Sequence, residues 1–135
     1  MASKPETTFI TGIHKHLPLK SVLHREKMSN PYSSGTADVW YSGQLSDLWV
    51  EYKFLPRTPQ RGSVVPTKLL SPLQVQWLSG RHAEGRNVAV IIGCPTGGVI
   101  LVDKRWENDL SVSEFVSLIR SRPELAGWIR QRTMR

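Results

Sequence analysis

Cysteine is all but missing from this sequence, with Cys94 the only one in 135 residues. An internal disulfide and a cysteine-rich zinc site are therefore excluded, and a single Cys at the end of an apolar run reads as a small core residue. Histidine is sparse as well. His14, His16 and His24 lie near one another, His82 lies apart, and none has zinc-site spacing. Surface or DNA-side positions are expected for all four. No apolar stretch approaches the roughly 20 residues that span a bilayer, and the N-terminus lacks the apolar segment of a secretory signal. Residues 93–98, Gly-Cys-Pro-Thr-Gly-Gly, carry neither the Lys nor the spacing of a phosphate-binding loop. They read as a hairpin turn, and no nucleotide cofactor is expected. A reducing, intracellular, cytoplasmic setting without membrane attachment is the default.

Acids are also in short supply. Eleven Asp and Glu stand against 18 Lys and Arg, a formal net charge of +7. A basic excess favours a polyanionic partner and long-range steering toward it. Two segments concentrate the charge. Residues 54–70 hold three Pro, one Gly and the cations Arg57, Arg61 and Lys68. A loop of that length within one domain is functional or disordered; DNA contact is the reading preferred to a plain solvated loop. The arginine-rich stretch 120–135 reads equally as phosphate contacts or as a solvated face.

What is present points to chemistry. The stretch 35–54 reads as two strands joined by a polar turn, the first over Asp38–Tyr41 and the second over Leu48–Phe54. Alternate side chains of a strand share a face, so Glu51 and Lys53 project together, and a hairpin can carry Asp38 beside them. Two carboxylates and an ammonium then converge, a set suited to a hard divalent cation such as Mg²⁺, with Mn²⁺ as a substitute. Downstream, Ser71, Pro72 and Gln74 have the spacing of a capped helix start. Leu73, Trp77 and Leu78 supply its apolar face. Gly85 stops that helix before the apolar, β-branched run 88–94, which reads as a strand covered on both faces, as in a parallel sheet. A further strand is expected over Val99–Asp103. Pro5–His16 reads as a helix with Phe9, Ile10 and Ile13 inward, and Ser21–Met28 as the first strand. Ser111 and Glu114 form a capping box for a helix through Phe115, Leu118 and Ile119. A second short helix follows Pro123, with Leu125, Trp128 and Ile129 as its packing side. Most of the five Trp should be buried or at an interface.

Asp38 followed by Glu51-Tyr52-Lys53 resembles the active-site signature of the PD-(D/E)XK nuclease superfamily, in which an acid opens one strand and Glu-X-Lys lies on the next. Ala37 stands where that family carries Pro. Ser71 with Gln74 resembles the Ser-x-x-Gln of its VRR-NUC-like and Holliday-junction-resolvase-like members. The resemblance implies an α/β fold with a restriction-endonuclease-like core, α-β-β-β-α-β, its mixed sheet flanked by helices. The expected organisation is one nuclease domain over 1–135, with the core at about 6–103 and a basic helical extension over 104–135. It also implies Mg²⁺-dependent DNA hydrolysis with Asp38, Glu51, Lys53 and Gln74 as catalytic residues. Asp38, Glu51 and the Tyr52 carbonyl would hold the metal. A further acid is supplied by Glu6 from the first helix, by Glu26 from the first strand, or by neither. The small size resembles phage-borne nucleases that act as homodimers on double-stranded or branched DNA. Two alternatives remain, a site-specific homing-type endonuclease on the same core and a non-catalytic DNA-binding protein.

Overall fold

The computed structural model describes residues 4–28 and 35–134; Arg135 of the arginine-rich stretch lies outside them. The elements follow in the order α1 (Lys4–His14), β1 (His24–Lys27), β2 (Val39–Ser42), β3 (Asp47–Phe54), β4 (Ser63–Val64), α2 (Pro66–Leu69), α3 (Pro72–Ala83), β5 (Val88–Cys94) and β6 (Gly97–Leu101). A 3-10 turn (Arg105–Glu107), β7 (Leu110–Ser111), α4 (Val112–Ser117) and α5 (Arg122–Thr133) complete it.

Five strands form one mixed sheet, ordered β1-β2-β3-β5-β6. β3 and β5 are parallel, and the other neighbours antiparallel. The parallel pair lies at the centre because only there are both faces covered. Every residue of β5 is buried, which is why its sequence is continuously apolar instead of alternating. α1 and α5 cover one face, where Phe9, Ile13, Leu125 and Ile129 pack on Val39, Tyr41, Val50 and Tyr52. α3 and the segments around Trp106 and Phe115 cover the other, over Val88, Val90 and Ile92.

Local chemistry explains the boundaries. Ser71 caps α3 through a reciprocal box with Gln74, and Gly85, at φ +80, ends the turn that follows. Ser121 and Glu124 make the same box for α5, with Pro123 in its first turn. At Ser111 only half a box forms, because the Glu114 carboxylate turns to Arg105 at 3.4 Å. α4 accordingly ends at Ser117, short of the expected Leu118 and Ile119. The first strand is also shorter than expected, covering only His24–Lys27.

Residues 54–70, expected to form an irregular loop, contain β4 and α2. β4 pairs antiparallel with β7, setting Val64 opposite Leu110. The turn between β2 and β3 is tied down from far along the chain, since Leu45 and Ser46 donate main-chain N–H groups to the Thr133 carbonyl at 2.9 and 3.3 Å.

Candidate active site

The β2–β3 ladder sets Val39 opposite Val50, so one step outward Asp38 faces Glu51. Strand alternation then aims Asp38 and Trp40 from one chain segment, and Trp49, Glu51 and Lys53 from the other, toward the α3 face. Asp38 precedes β2 by one residue. Its Oδ2 accepts the main-chain N–H of Tyr52 at 3.0 Å, which fixes the carboxylate against the middle of the Glu-X-Lys triplet. Gly35 lets the chain just before Asp38 run against the start of α3. It has φ +89, and a Cβ there would fall 2.5 Å from the Leu73 carbonyl at the start of α3.

Glu51 is the strangest residue of the molecule by composition of its surroundings. It is a carboxyl only 1% exposed. Its Oε2 lies 3.4 Å from Lys53 Nζ and accepts a hydrogen bond from Gln74 Nε2 at 3.2 Å. Its Oε1 is buried and has no hydrogen-bond partner among the described residues. Burial first, and then the charge of Asp38, push the Glu51 carboxyl up to about 9, against the opposing pull of Lys53. Burial thus favours the neutral form of Glu51 in the metal-free protein, since a carboxylate in this position would be an incompletely compensated buried charge.

Gln74 serves two contacts at once. Its backbone N–H donates to Ser71 Oγ and its side-chain oxygen accepts from the Ser71 N–H, at 3.1 and 2.9 Å. The remaining amide nitrogen reaches Glu51. The cap and the contact with Glu51 are thus one rotamer of one side chain. The amide meets Glu51 directly.

Oxygen donors dominate the centre of this cluster, which suits a hard cation. The N–H and C=O of a strand residue point to the same side, so the Tyr52 carbonyl is directed to the side on which Asp38 lies. The partnerless Glu51 Oε1 is the observation that most favours a metal, because a divalent ion would compensate the buried charge that otherwise requires a proton. Mg²⁺ keeps several waters and needs only one or two carboxylates. Among the described residues no three His, Cys, Asp or Glu side chains gather as a metal-binding group.

Glu6 and Glu26 differ in their surroundings. The Glu6 carboxyl is raised by partial burial and then by Asp38, with Lys53 pulling the other way, which puts it within electrostatic reach of the site. Glu26 lies on the exposed edge strand, 3.6 Å from His24 Nε2. Arg57 and Lys68 line one cavity beyond Lys53, whereas Arg61 is exposed on the adjoining turn.

Two features were not anticipated from the sequence. Trp40 and Trp49 stack at 5.8 Å between ring centroids, and Trp77 meets Trp49 edge-on at 5.6 Å. They form a half-exposed aromatic row beside the acids, which the strand alternation of Trp40 and Trp49 with Asp38 and Glu51 could have revealed. His14, expected at the surface, instead bonds through Nε2 to the Tyr41 hydroxyl at 2.8 Å. Burial, helped by Arg25 and Lys20, draws its pKa down to about 4.

No protein-family model matches this sequence, and no curated protein matches it either. The fold does have a solved counterpart. It is similar to the 1.6 Å structure of Hjc, a Holliday junction resolvase from the archaeal hyperthermophile Archaeoglobus fulgidus, with a TM-score of 0.56 and 18% sequence identity. The match covers 90% of this chain and 99% of that one. A five-stranded mixed sheet flanked by helices, carrying its acids on the second and third strands, is the restriction-endonuclease-like α/β fold.

Proposed function

We propose that this protein is a metal-dependent endonuclease that hydrolyses phosphodiester bonds in branched DNA, as a junction resolvase does. The buried Glu51, favoured in its neutral form and with one oxygen lacking a partner, between Asp38 and Lys53, carries the reading. The fold's likeness to a Holliday junction resolvase supports the choice of substrate.

Asp38, Glu51 and the Tyr52 carbonyl would hold Mg²⁺ or Mn²⁺, with Glu6 as the nearest candidate for an additional contact. Bound there, the ion supplies Lewis acidity toward a phosphoryl oxygen and lowers the pKa of its water. The protein's own residues do the rest. Lys53, only 23% exposed at its side chain, orients the attacking water and offsets charge developing on phosphate. Gln74 holds Glu51 Oε2, leaving Oε1 directed inward. These are fixed dipoles and charges that need no rearrangement at the moment of reaction. Arg57, Arg61 and Lys68 bind the sugar-phosphate backbone and make affinity fall with salt. Paired cuts across a junction require two such sites, so the reading implies two copies of the chain, working in an intracellular setting.

The test is cleavage of an end-labelled four-way junction against matched duplex and single strand, with Mg²⁺, Mn²⁺ or EDTA, and with Lys53→Ala alongside. Symmetric paired nicks in the junction, lost with EDTA and in the variant, are expected. Cutting of duplex at one sequence would indicate a site-specific enzyme. Binding without cutting of any substrate would indicate a non-catalytic DNA-binding protein, and neither binding nor cutting would end the nucleic-acid reading.

A further inference from the structure

The segment between the catalytic strand and α3 leaves the sheet directly after Lys53 and Phe54 and returns at Ser71, three residues before Gln74. Both of its ends are therefore pinned to the candidate site. Between them lies an open hollow of about 550 Å³, within the size range of roughly 300–1,000 Å³ typical of small-ligand sites. Its walls are the half-buried aliphatic side chains of Leu55, Val65 and Leu69 and the ring of Pro59, and Arg57 and Lys68 stand at its rim. No acidic side chain lines it among the described residues.

The cavity is held in shape. Leu55 donates its N–H to the Gly93 carbonyl at 2.7 Å, and Lys68 donates its N–H to the Val65 carbonyl at 3.0 Å. The β4–β7 pair braces the far wall. An apolar interior with cations confined to the rim fits a flat, weakly polar body joined to an anion. It does not fit a free phosphate, which would leave the aliphatic walls unfilled, or an aliphatic chain, which would leave the cations unused.

We infer that this cavity receives one unstacked nucleotide next to the scissile phosphate, its base against the aliphatic walls and its phosphates against Arg57 and Lys68. The inference rests on the nuclease reading and adds to it a physical cause for preferring branched DNA. Taking a base out of a duplex costs a few kcal/mol, and least where its stacking is already broken. A branch point interrupts the continuous stack and so lowers that cost, and an intact duplex does not.

The experiment places 2-aminopurine, in turn, at each position flanking the branch of a four-way junction and follows its fluorescence on binding, with Ca²⁺ replacing Mg²⁺ to prevent cutting. The expected result is a several-fold rise at one position beside the mapped cut, lost in Ser63→Phe. Ser63 is an exposed lining residue on the β4 wall, so Phe can fill the space without displacing core. Lys68→Ala should keep the rise at saturation while weakening binding severalfold. Circular dichroism melting shows that each variant is folded. If the junction is bound and cut but no position responds, or if the rise survives both Ser63→Phe and Leu69→Phe, the pocket assignment is overturned and the nuclease reading stands. If no junction is bound or cut at all, both fall.

Discussion

The two faces of β2 and β3 treat their polar groups in opposite ways. Toward α1 and α5, Tyr41 and Tyr52 join hydroxyls at 2.6 Å, and His14 closes the chain on Tyr41. Both phenols are raised by burial, with the other hydroxyl as a bonding partner. Toward α3, Glu51 keeps an oxygen unbonded and Trp40 keeps its Nε1 unbonded, both buried. A fold that satisfies one face of a strand can satisfy the other, so the deficit is not forced by the backbone. The satisfied face specifies the structure, and the deficient one is where the proposed metal would sit.

The largest effect that separates the faces is on cleavage. Asp38→Ala, Glu51→Gln and Lys53→Ala should each lower the rate by about a thousandfold or more, while most DNA affinity, which comes from the basic surface, remains. The same Glu51→Gln change should make the metal-free protein more stable. A carboxyl raised to about 9 in the fold contributes fully below its unfolded pKa near 4.5, and that contribution is lost as pH rises through 9. Wild type should therefore weaken from about pH 5 to pH 9 by a few kcal/mol, and Glu51→Gln should not. Thermal melts across that range measure this. Adding Mg²⁺ should raise the melting temperature of wild type and leave that of Glu51→Gln where it was.

Tyr52→Phe should behave in the reverse manner. It leaves the buried Tyr41 hydroxyl with one partner fewer and should cost roughly 1–3 kcal/mol in urea unfolding, with cleavage per folded molecule unchanged. His14 belongs to the same group. Held near 4, it contributes stability that is complete above about pH 6.5 and disappears as pH falls toward 4. His14→Gln should remove that acid slope from denaturation curves.

The smallest effect concerns the residue that bridges structure and site. Gln74→Glu keeps an acceptor for the Ser71 N–H, so helix stability should change by less than about 1 kcal/mol. It replaces the amide donor to Glu51 with another carboxyl, and cleavage should drop about tenfold or more. Equal losses of stability and rate in urea titrations and cleavage assays would mean that Gln74 is only a cap.

The site was more legible than its surroundings, for a physical reason. Asp38, Glu51, Lys53 and Gln74 are arranged by short-range rules, the period of two along a strand and the spacing of a helix cap, and these are written within 40 residues. The pairing of Ser63–Val64 with Leu110–Ser111 obeys no local rule. Strands of two residues carry too little alternation to announce themselves, so 54–70 reads as loop until the partner is in place. The place of His14 depends likewise on a hydroxyl 27 positions away. Buried polar contacts between distant segments leave no periodic trace.

The Thr133 carbonyl that receives Leu45 and Ser46 gives the hairpin of acids a timetable. The turn is synthesised about ninety residues before its anchor, a delay of roughly 5–20 s at ordinary translation rates. Until residue 133 leaves the ribosome, the ribbon that presents Asp38 to Glu51 lacks its clamp. The nascent chain thus carries Asp38 and Glu51 early but gains a clamped hairpin only when synthesis has passed through α5.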